Sequence, residues 1–290
     1  MPLDLSKSIH RASFTHAEFN QLCREFPEQR KWLESIVNNF GPKAVIDIKN
    51  LHPTSDIDTI GKEFYDKLFS RAYVDTHYLR EGNFLSVWHQ LKGVLELPKS
   101  EVESVLEIGK GIGLFNALVK LYDYEVQTLD VDETYKSDLK GNILDIPCED
   151  NAFDIVCAFE VLQHLPSAEV SRALREMVRV ARHYVYLSLP CSTGSAYFRL
   201  SIKLRQRVLS RLSFDLKLFR TLPMQSQPDR NEKEFFKRPD KHNPHYWEVG
   251  TRSFPKKRII TMLNEVGLKV IKDFHNPHHP YHWFLMCKRV

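Results

Sequence analysis

From Ser104 onward the apolar positions fall into two regimes, short continuous runs and longer stretches with an apolar residue every third or fourth place. VLEI, EVQTLDVD, FDIVCAFE and HYVYLSLP read as buried strands. The stretch from Gly113 to Tyr122 reads as a helix. A second helix carries Val170, Ala173, Leu174, Met177 and Ala181 on one face, with Ser167 as its expected cap. Strands separated by helices predict a parallel sheet covered on both faces. Pro255 marks a further helix start, and Gly267 sits just past its end. LKVIKDF and WFLMCKR follow, close enough in sequence to pair as antiparallel neighbours.

Residues 1 to about 95 show only helical spacing. Thr15-His16-Ala17-Glu18 is a capping box, and Phe19, Leu22 and Phe26 follow on one face. Trp32, Leu33, Ile36, Val37 and Phe40 form a second stripe that Gly41-Pro42 stops. Phe64, Leu68 and Phe69 mark a third within Asp58 to Ser70. Leu85, Trp88, Leu91 and Val94 mark a fourth. Core packing accounts for all four. The expected organisation is an N-terminal helical cap region over 1–95 and an α/β domain over 96–290, interrupted by an insertion or lid at 191–246.

That insertion is where charge changes the picture. The chain of 290 residues carries a net charge of +4, and its hydrophobic content of 42% and charged content of 27% are ordinary for a globular protein. Between Cys191 and Lys241, however, 12 Lys/Arg face 5 Asp/Glu, an excess of +7, which leaves the remainder at −3. Tyr197, Leu200, Leu204, Val208 and Leu212 fall at helical spacing, with Arg199, Lys203, Arg205, Arg207 and Arg211 mostly on the other faces. A basic amphipathic helix is expected. It suits contact with an anionic membrane surface, a cover for a negatively charged substrate, or plain packing with snorkelling cations. No apolar run approaches the roughly 20 residues that span a bilayer, and the N-terminus lacks the apolar core of a secretory signal. Five scattered cysteines without a CxxC pair point to reduced thiols and a cytoplasmic setting.

The candidate chemistry begins at VLEIGKGIGLF. Gly109, Gly111 and Gly113 sit where a strand hands over to a helix, and there the missing Cβ atoms permit a tight turn and close approach of a ligand. The dinucleotide fingerprint would need glycine at 114, where this chain has Leu114. Glu107 lies inside the strand end, a costly place for a carboxylate that lacks donors. Asp130 ends the next strand, 21 residues after Gly109, within reach of a ribose diol; its plainer reading is a turn acid.

These residues, together with GNILDIPCEDNAFDIVCAFEVLQHL from Gly141 to Leu165, resemble the class I S-adenosylmethionine-dependent methyltransferases, in particular the branch termed methyltransferase type 11. The resemblance implies a Rossmann-like, doubly wound seven-stranded sheet whose last strand is antiparallel, and S-adenosyl-L-methionine as cofactor. It implies that Glu107 and the Gly109–Gly113 turn face the methionine part, Asp130 the ribose, and Val131 the adenine. Asn142 and Ile143 would flank the adenine edge, and Phe159 would lie near the methionine amino group. Asn142 departs from the family's usual aspartate but retains a carbonyl acceptor. His164 belongs to the family pattern and reads as a packing residue.

The implied reaction is methyl transfer to a small-molecule acceptor, anionic or glycan-linked. In HNPHYWEVG, His245 and Glu248 are the candidates for a general base, the alternative being polar packing around Trp247. His275, His278, His279 and His282 lack regular ligand spacing and read as exposed or substrate-facing histidines rather than a metal site. FEVLQHL replaces the Asn/Asp-Pro-Pro-aromatic stretch of base-amino methyltransferases, which disfavours a nucleic-acid acceptor. Two rivals stand beside this reading: a non-catalytic S-adenosylmethionine-binding scaffold of the same fold, and a nicotinamide-dependent oxidoreductase disfavoured by Leu114.

Overall fold

The computed structural model describes residues 11–40, 43–47, 81–203, 213–221 and 245–290. It divides into two compact units, Met1–Phe84 and Leu85–Val290.

In the first unit the capping box forms as read. Glu18 donates its backbone N–H to Thr15 Oγ1 at 3.3 Å, and Thr15 returns its own to Glu18 Oε2 at 2.8 Å. Helix α1 (His16–Glu25) then buries Phe19 and Leu22. The all-helical expectation for this region is wrong. Helix α2 (Arg30–Ile36) stops early, and Arg11–Thr15 (β1), Val37–Phe40 (β2) and Lys43–Asp47 (β3) form an antiparallel sheet in the order β1-β3-β2. Val37 and Phe40 end the helical stripe, but they lie in β2, which pairs antiparallel with β3, Val37 opposite Ile46 and Phe40 opposite Ala44. The stretch Asp58 to Ser70 lies outside the described residues.

Helix α3 (Glu81–Leu95) crosses the division between the units. The second unit is built on a seven-stranded sheet. Its strands are Ser104–Ile108 (β4), Glu125–Asp130 (β5), Leu139–Lys140 (β6), Phe153–Phe159 (β7), Ala181–Pro190 (β8), Leu268–Asn276 (β11) and His279–Arg289 (β12). Their order is β11-β12-β8-β7-β4-β5-β6, and β12 runs antiparallel to both of its neighbours. This is the doubly wound, Rossmann-like α/β sheet expected from the resemblance.

Both faces are buried, which is why the strands read as continuous apolar runs. On one face Leu106, Val156, Val185 and Leu285 pack with Val170, Leu174 and Met177 of helix α5 (Val170–Val180) and Leu263 of helix α6 (Lys256–Glu265). On the other, Val105, Ile155, Tyr186 and Phe284 pack with Leu91 and Val94 of α3 and with Phe115 and Val119 of helix α4 (Leu114–Lys120). Ser167 does not cap α5. The cap position is Glu169 without a side-chain bond, and Ala181 already belongs to β8. Pro255 and Gly267 flank α6 as expected, Gly267 at φ +84°.

The expected basic helix is also corrected. Ser195–Lys203 (β9) pairs antiparallel with Ser213–Thr221 (β10), Phe198 opposite Leu218 and Leu200 opposite Leu216. Phe198, Leu200 and Ile202 alternate with Arg199, Ser201 and Lys203, a period of two that outcompetes the helical spacing. Residues 204–212 lie outside the described part. Among the described residues no helix is long and apolar enough to cross a membrane.

Candidate functional site

The strand order reverses at β4, which has β5 on one side and β7 on the other. In open parallel sheets a ligand crevice opens beyond the strand ends at such a reversal. The residues singled out from the sequence lie along this edge. Gly109 donates to Leu129 O at 2.8 Å and Gly141 to Asp130 O at 3.4 Å, so the ends of β4, β5 and β6 stay level. Phe159 ends β7 alongside, edge-on to Phe115 and Tyr186 at ring separations of 4.9 and 5.1 Å.

Gly109, Gly111 and Gly113 all adopt the left-handed region, at φ +78°, +50° and +77°. A Cβ on Gly109 would stand 2.5 Å from Val161 Cγ2, so this turn is built against the end of β7. Glu107 is 4% exposed; among the described residues its Oε2 and the buried Nδ2 of Asn116 in α4 make no well-formed hydrogen bond, although Asn116 lies near enough to favour the charged carboxylate. Burial pushes the Glu107 carboxyl up to about 8.

That shift sets a pH dependence. Glu160, discussed below, is likewise raised to about 8 by burial. Between about pH 6.5 and 8 the unfolded chain has ionised both carboxyls, ordinarily near 4.5, while the folded protein retains their protons. The unfolded state then binds fewer protons, so stability falls as pH rises through this window. Below it His89 and His275, held neutral by burial down to about 4, act in the opposite sense. Thermal melts of the ligand-free protein are expected to drop from pH 6.5 to 8, and a Glu107→Gln variant to drop less. An unchanged profile in that variant would contradict the assignment.

The nucleoside side is less uniform. Asp130 is half-buried, and its Oδ1 accepts from Asp132 N at 3.0 Å, so it also serves its own turn. Val131 is 72% exposed. Asn142 is exposed with Oδ1 accepting from Leu144 N at 3.0 Å, and Ile143 turns into the core. The loop carrying these last two is held from α5. Arg179 donates to Ile146 O at 2.8 Å and Cys148 O at 2.7 Å, and Glu176 Oε2 accepts from Ile146 N at 3.0 Å. Arg179→Ala is expected to cost about 1–3 kcal/mol in denaturant unfolding, because two carbonyls and Glu176 lose their donor. A loss of only a few tenths would show that the loop is held otherwise.

A second cluster gathers beyond β7 and β8. Residues 245–251 are stitched there by Tyr246 N to Gln163 O at 2.8 Å, Val249 N to Pro190 O at 2.9 Å and Ser192 N to Val249 O at 2.8 Å. Glu248, 1% exposed, accepts from the Tyr281 hydroxyl at 2.6 Å and from the Ser192 hydroxyl. His245 Nδ1 lies 3.2 Å from Glu248 Oε1 and 3.2 Å from the Tyr281 oxygen, and its ring meets His164 edge-on at 4.9 Å. Trp247 packs on Phe254 and donates to Leu165 O at 3.2 Å. Trp247 thus packs while His245 and Glu248 make polar contacts beside it, the plainer of the two sequence alternatives.

Of the histidines in and between β11 and β12, His275 and His282 are buried, against the expectation of exposed or substrate-facing side chains. His275 Nδ1 lies 2.7 Å from Pro280 O and Nε2 2.7 Å from Lys256, while His282 Nδ1 lies 2.8 Å from Ser86 Oγ. Among the described residues no group of three His, Cys, Asp or Glu is arranged to hold a metal.

Residues 106–189 match the family model described as a methyltransferase domain. That match runs from within β4 to within β8. A search of curated proteins finds no match. Among solved structures the chain is similar to magnesium protoporphyrin IX methyltransferase from Synechocystis PCC 6803 with bound S-adenosylhomocysteine, at 14% identity over 74% of this chain and 87% of that one, TM-score 0.48. A Pyrococcus horikoshii OT3 protein gives 15% identity over 79% and 99%, TM-score 0.46. A glycopeptide N-methyltransferase complexed with S-adenosylhomocysteine gives 12% over 69% and 89%, TM-score 0.44.

S-adenosylmethionine is the cofactor that the sequence resemblance implies, and features of the crevice suit it. The Glu107 oxygen that lacks a well-formed hydrogen bond suits an ammonium donor, and the turn at 109–113 leaves backbone where side chains would stand. Asn116, Glu160, Gln163, Ser192 and Tyr281 lie beside these residues without having been singled out from the sequence. An acid and an amide inside the apolar FEVLQHL were the available signal for Glu160 and Gln163. Ser192 and Tyr281 had none.

Proposed function

We propose that the protein transfers the methyl group of S-adenosylmethionine to a small-molecule acceptor whose nucleophile carries a proton at neutral pH, and that His245 removes that proton. The cofactor, when bound, supplies a methyl group already activated on a sulfonium, so the chain's own task is alignment and proton removal. Glu107 and the 109–113 turn would hold the methionine part, Asp130 the ribose, and Val131, Asn142, Ile143 and Phe159 the surroundings of the adenine and amino group.

The observation that carries the proposal is the buried Glu248 behind His245. A carboxylate at Nδ1 fixes the tautomer with its proton on Nδ1 and leaves Nε2 basic, the arrangement of an oriented general base. Ser192 and Tyr281 hold that carboxylate in place, so Glu248 and Tyr281 act as positioning residues. The excess of Lys and Arg between Cys191 and Lys241 supports negative charge elsewhere on the acceptor.

The test is incubation of the purified protein with methyl-labelled S-adenosylmethionine and a small-molecule cell extract, followed by identification of the labelled product. Label on a small molecule with the wild type, and not with His245→Ala, is expected. Label on protein or nucleic acid instead, or equal labelling by the variant, would refute the proposal.

A further inference from the structure

Glu160 and Gln163 are not among the residues assigned above to the cofactor or to the His245 pair, yet both are placed with some cost. Glu160 follows the last residue of β7 at φ +56°, a left-handed conformation that costs a non-glycine residue about 1–2 kcal/mol. Its backbone N–H, bonded to Ser188 O at 3.1 Å, extends the β7–β8 ladder by one residue. The carboxyl then accepts from Ser188 Oγ at 2.9 Å, and its other oxygen lies 3.5 Å from Gln163 Nε2.

Gln163 is fully buried, 0% exposed, and its Oε1 has no hydrogen-bond partner among the described residues. A buried carbonyl left unpaired costs roughly 1–3 kcal/mol, which a leucine at this position would avoid. The charge acting on Glu160 from the described residues is a second acid, Glu248, and no cation offsets it. Burial and that neighbour together push the Glu160 carboxyl up to about 8. The two side chains thus gather hydrogen-bond acceptors at the end of β7, and a positively charged donor there would supply the missing partner and favour the ionised form of Glu160.

We propose that Glu160 and Gln163 form a seat for an ammonium group, so that the methyl acceptor is an amine recognised between the Glu160 carboxylate and the Gln163 amide oxygen. This rests on the methyltransferase reading and narrows its substrate class. An ammonium brings three donors and the missing charge, whereas a hydroxyl brings one donor and no charge. Glu107, which faces the turn at 109–113, remains the acid for the cofactor's own amino group.

The experiment uses the full chain saturated with S-adenosylhomocysteine. Binding of phenethylamine, tyramine and glucosamine is compared with that of phenethyl alcohol, tyrosol and glucose by ligand-detected NMR and calorimetry. At least one amine is expected to bind about tenfold or more tightly than its hydroxyl counterpart. Glu160→Gln, which keeps shape and removes charge, and Gln163→Leu are each expected to weaken that amine about tenfold or more. Affinity for S-adenosylhomocysteine should stay within about twofold, and circular dichroism should be unchanged. The inference is overturned if no amine binds, if amine and alcohol bind alike, or if Glu160→Gln keeps the amine. It is equally overturned if Glu160→Gln loses S-adenosylhomocysteine, since the seat would then belong to the cofactor. A wild-type chain that fails to bind S-adenosylhomocysteine at all would instead refute the methyltransferase reading.

Discussion

A His245→Ala protein is expected to bind S-adenosylhomocysteine as tightly as the wild type and to turn over roughly 10²–10⁴-fold more slowly, the usual contribution of a positioned general base. The split between binding and turnover is the informative part. His245 sits in the cluster beyond β7 and β8, away from the 109–113 turn, so its loss should spare the cofactor. Glu248→Gln keeps the size of the side chain and removes the charge that fixes the imidazole. It should lower kcat less than His245→Ala does, with acceptor KM little changed. Calorimetry and single-turnover kinetics measure the two quantities separately. A turnover that falls less than about threefold in His245→Ala would mean that the acceptor reaches the cofactor already deprotonated, and that Glu248 serves only to anchor residues 245–251 to β8.

The opposite split is expected at Gly109. In Gly109→Ala a Cβ must form at φ +78° and 2.5 Å from Val161 Cγ2. The backbone conformation costs about 1–2 kcal/mol and the overpacking about 1–3, so together about 2–5 kcal/mol falls on the turn. The turn or the Val161 side chain must shift to relieve this, and the turn lies at the ligand end of β4. S-adenosylhomocysteine affinity is therefore expected to fall by roughly 30-fold to 5,000-fold, while far-ultraviolet circular dichroism stays native. Affinity within about threefold of the wild type would show that the turn does not approach the ligand.

The sheet was legible because two-sided burial leaves a plain mark. VLEI, FDIVCAFE and HYVYLSLP have no polar face to confuse their reading, and Gly109 announces a left-handed turn that few other residues accept. The errors arose where two periods fit the same letters. In the stretch from Tyr197, apolar residues are dense enough that Tyr197, Leu200 and Leu204 suggest a helix while Phe198, Leu200 and Ile202 suggest a strand. The pairing of Leu200 with Leu216 across a connection decides it, and pairing is not local. Val37 and Phe40 were misread for the same reason.

The site divides along similar lines. Glu107, Asp130 and the glycines lie near one another in sequence and bear a recognisable pattern. The partners of Glu248 do not, since Ser192 and Tyr281 are 56 and 33 residues away. Their meeting depends on β12 bringing Tyr281 to the end of β8, where Cys191 N donates to Tyr281 O at 2.6 Å. No spacing rule reports such a contact.

The interior position of β12 has a consequence for biosynthesis. Strand β8 leaves the ribosome with one side already paired to β7, but its other side waits for residues 282–288, on the far side of the whole stretch from Cys191 to Tyr281. During that interval a buried, apolar strand presents open amide and carbonyl groups, a template for pairing with another nascent chain. Synthesis stalled anywhere in that stretch would yield an aggregating species rather than a smaller folded one, and chaperone demand should peak before the last strand emerges.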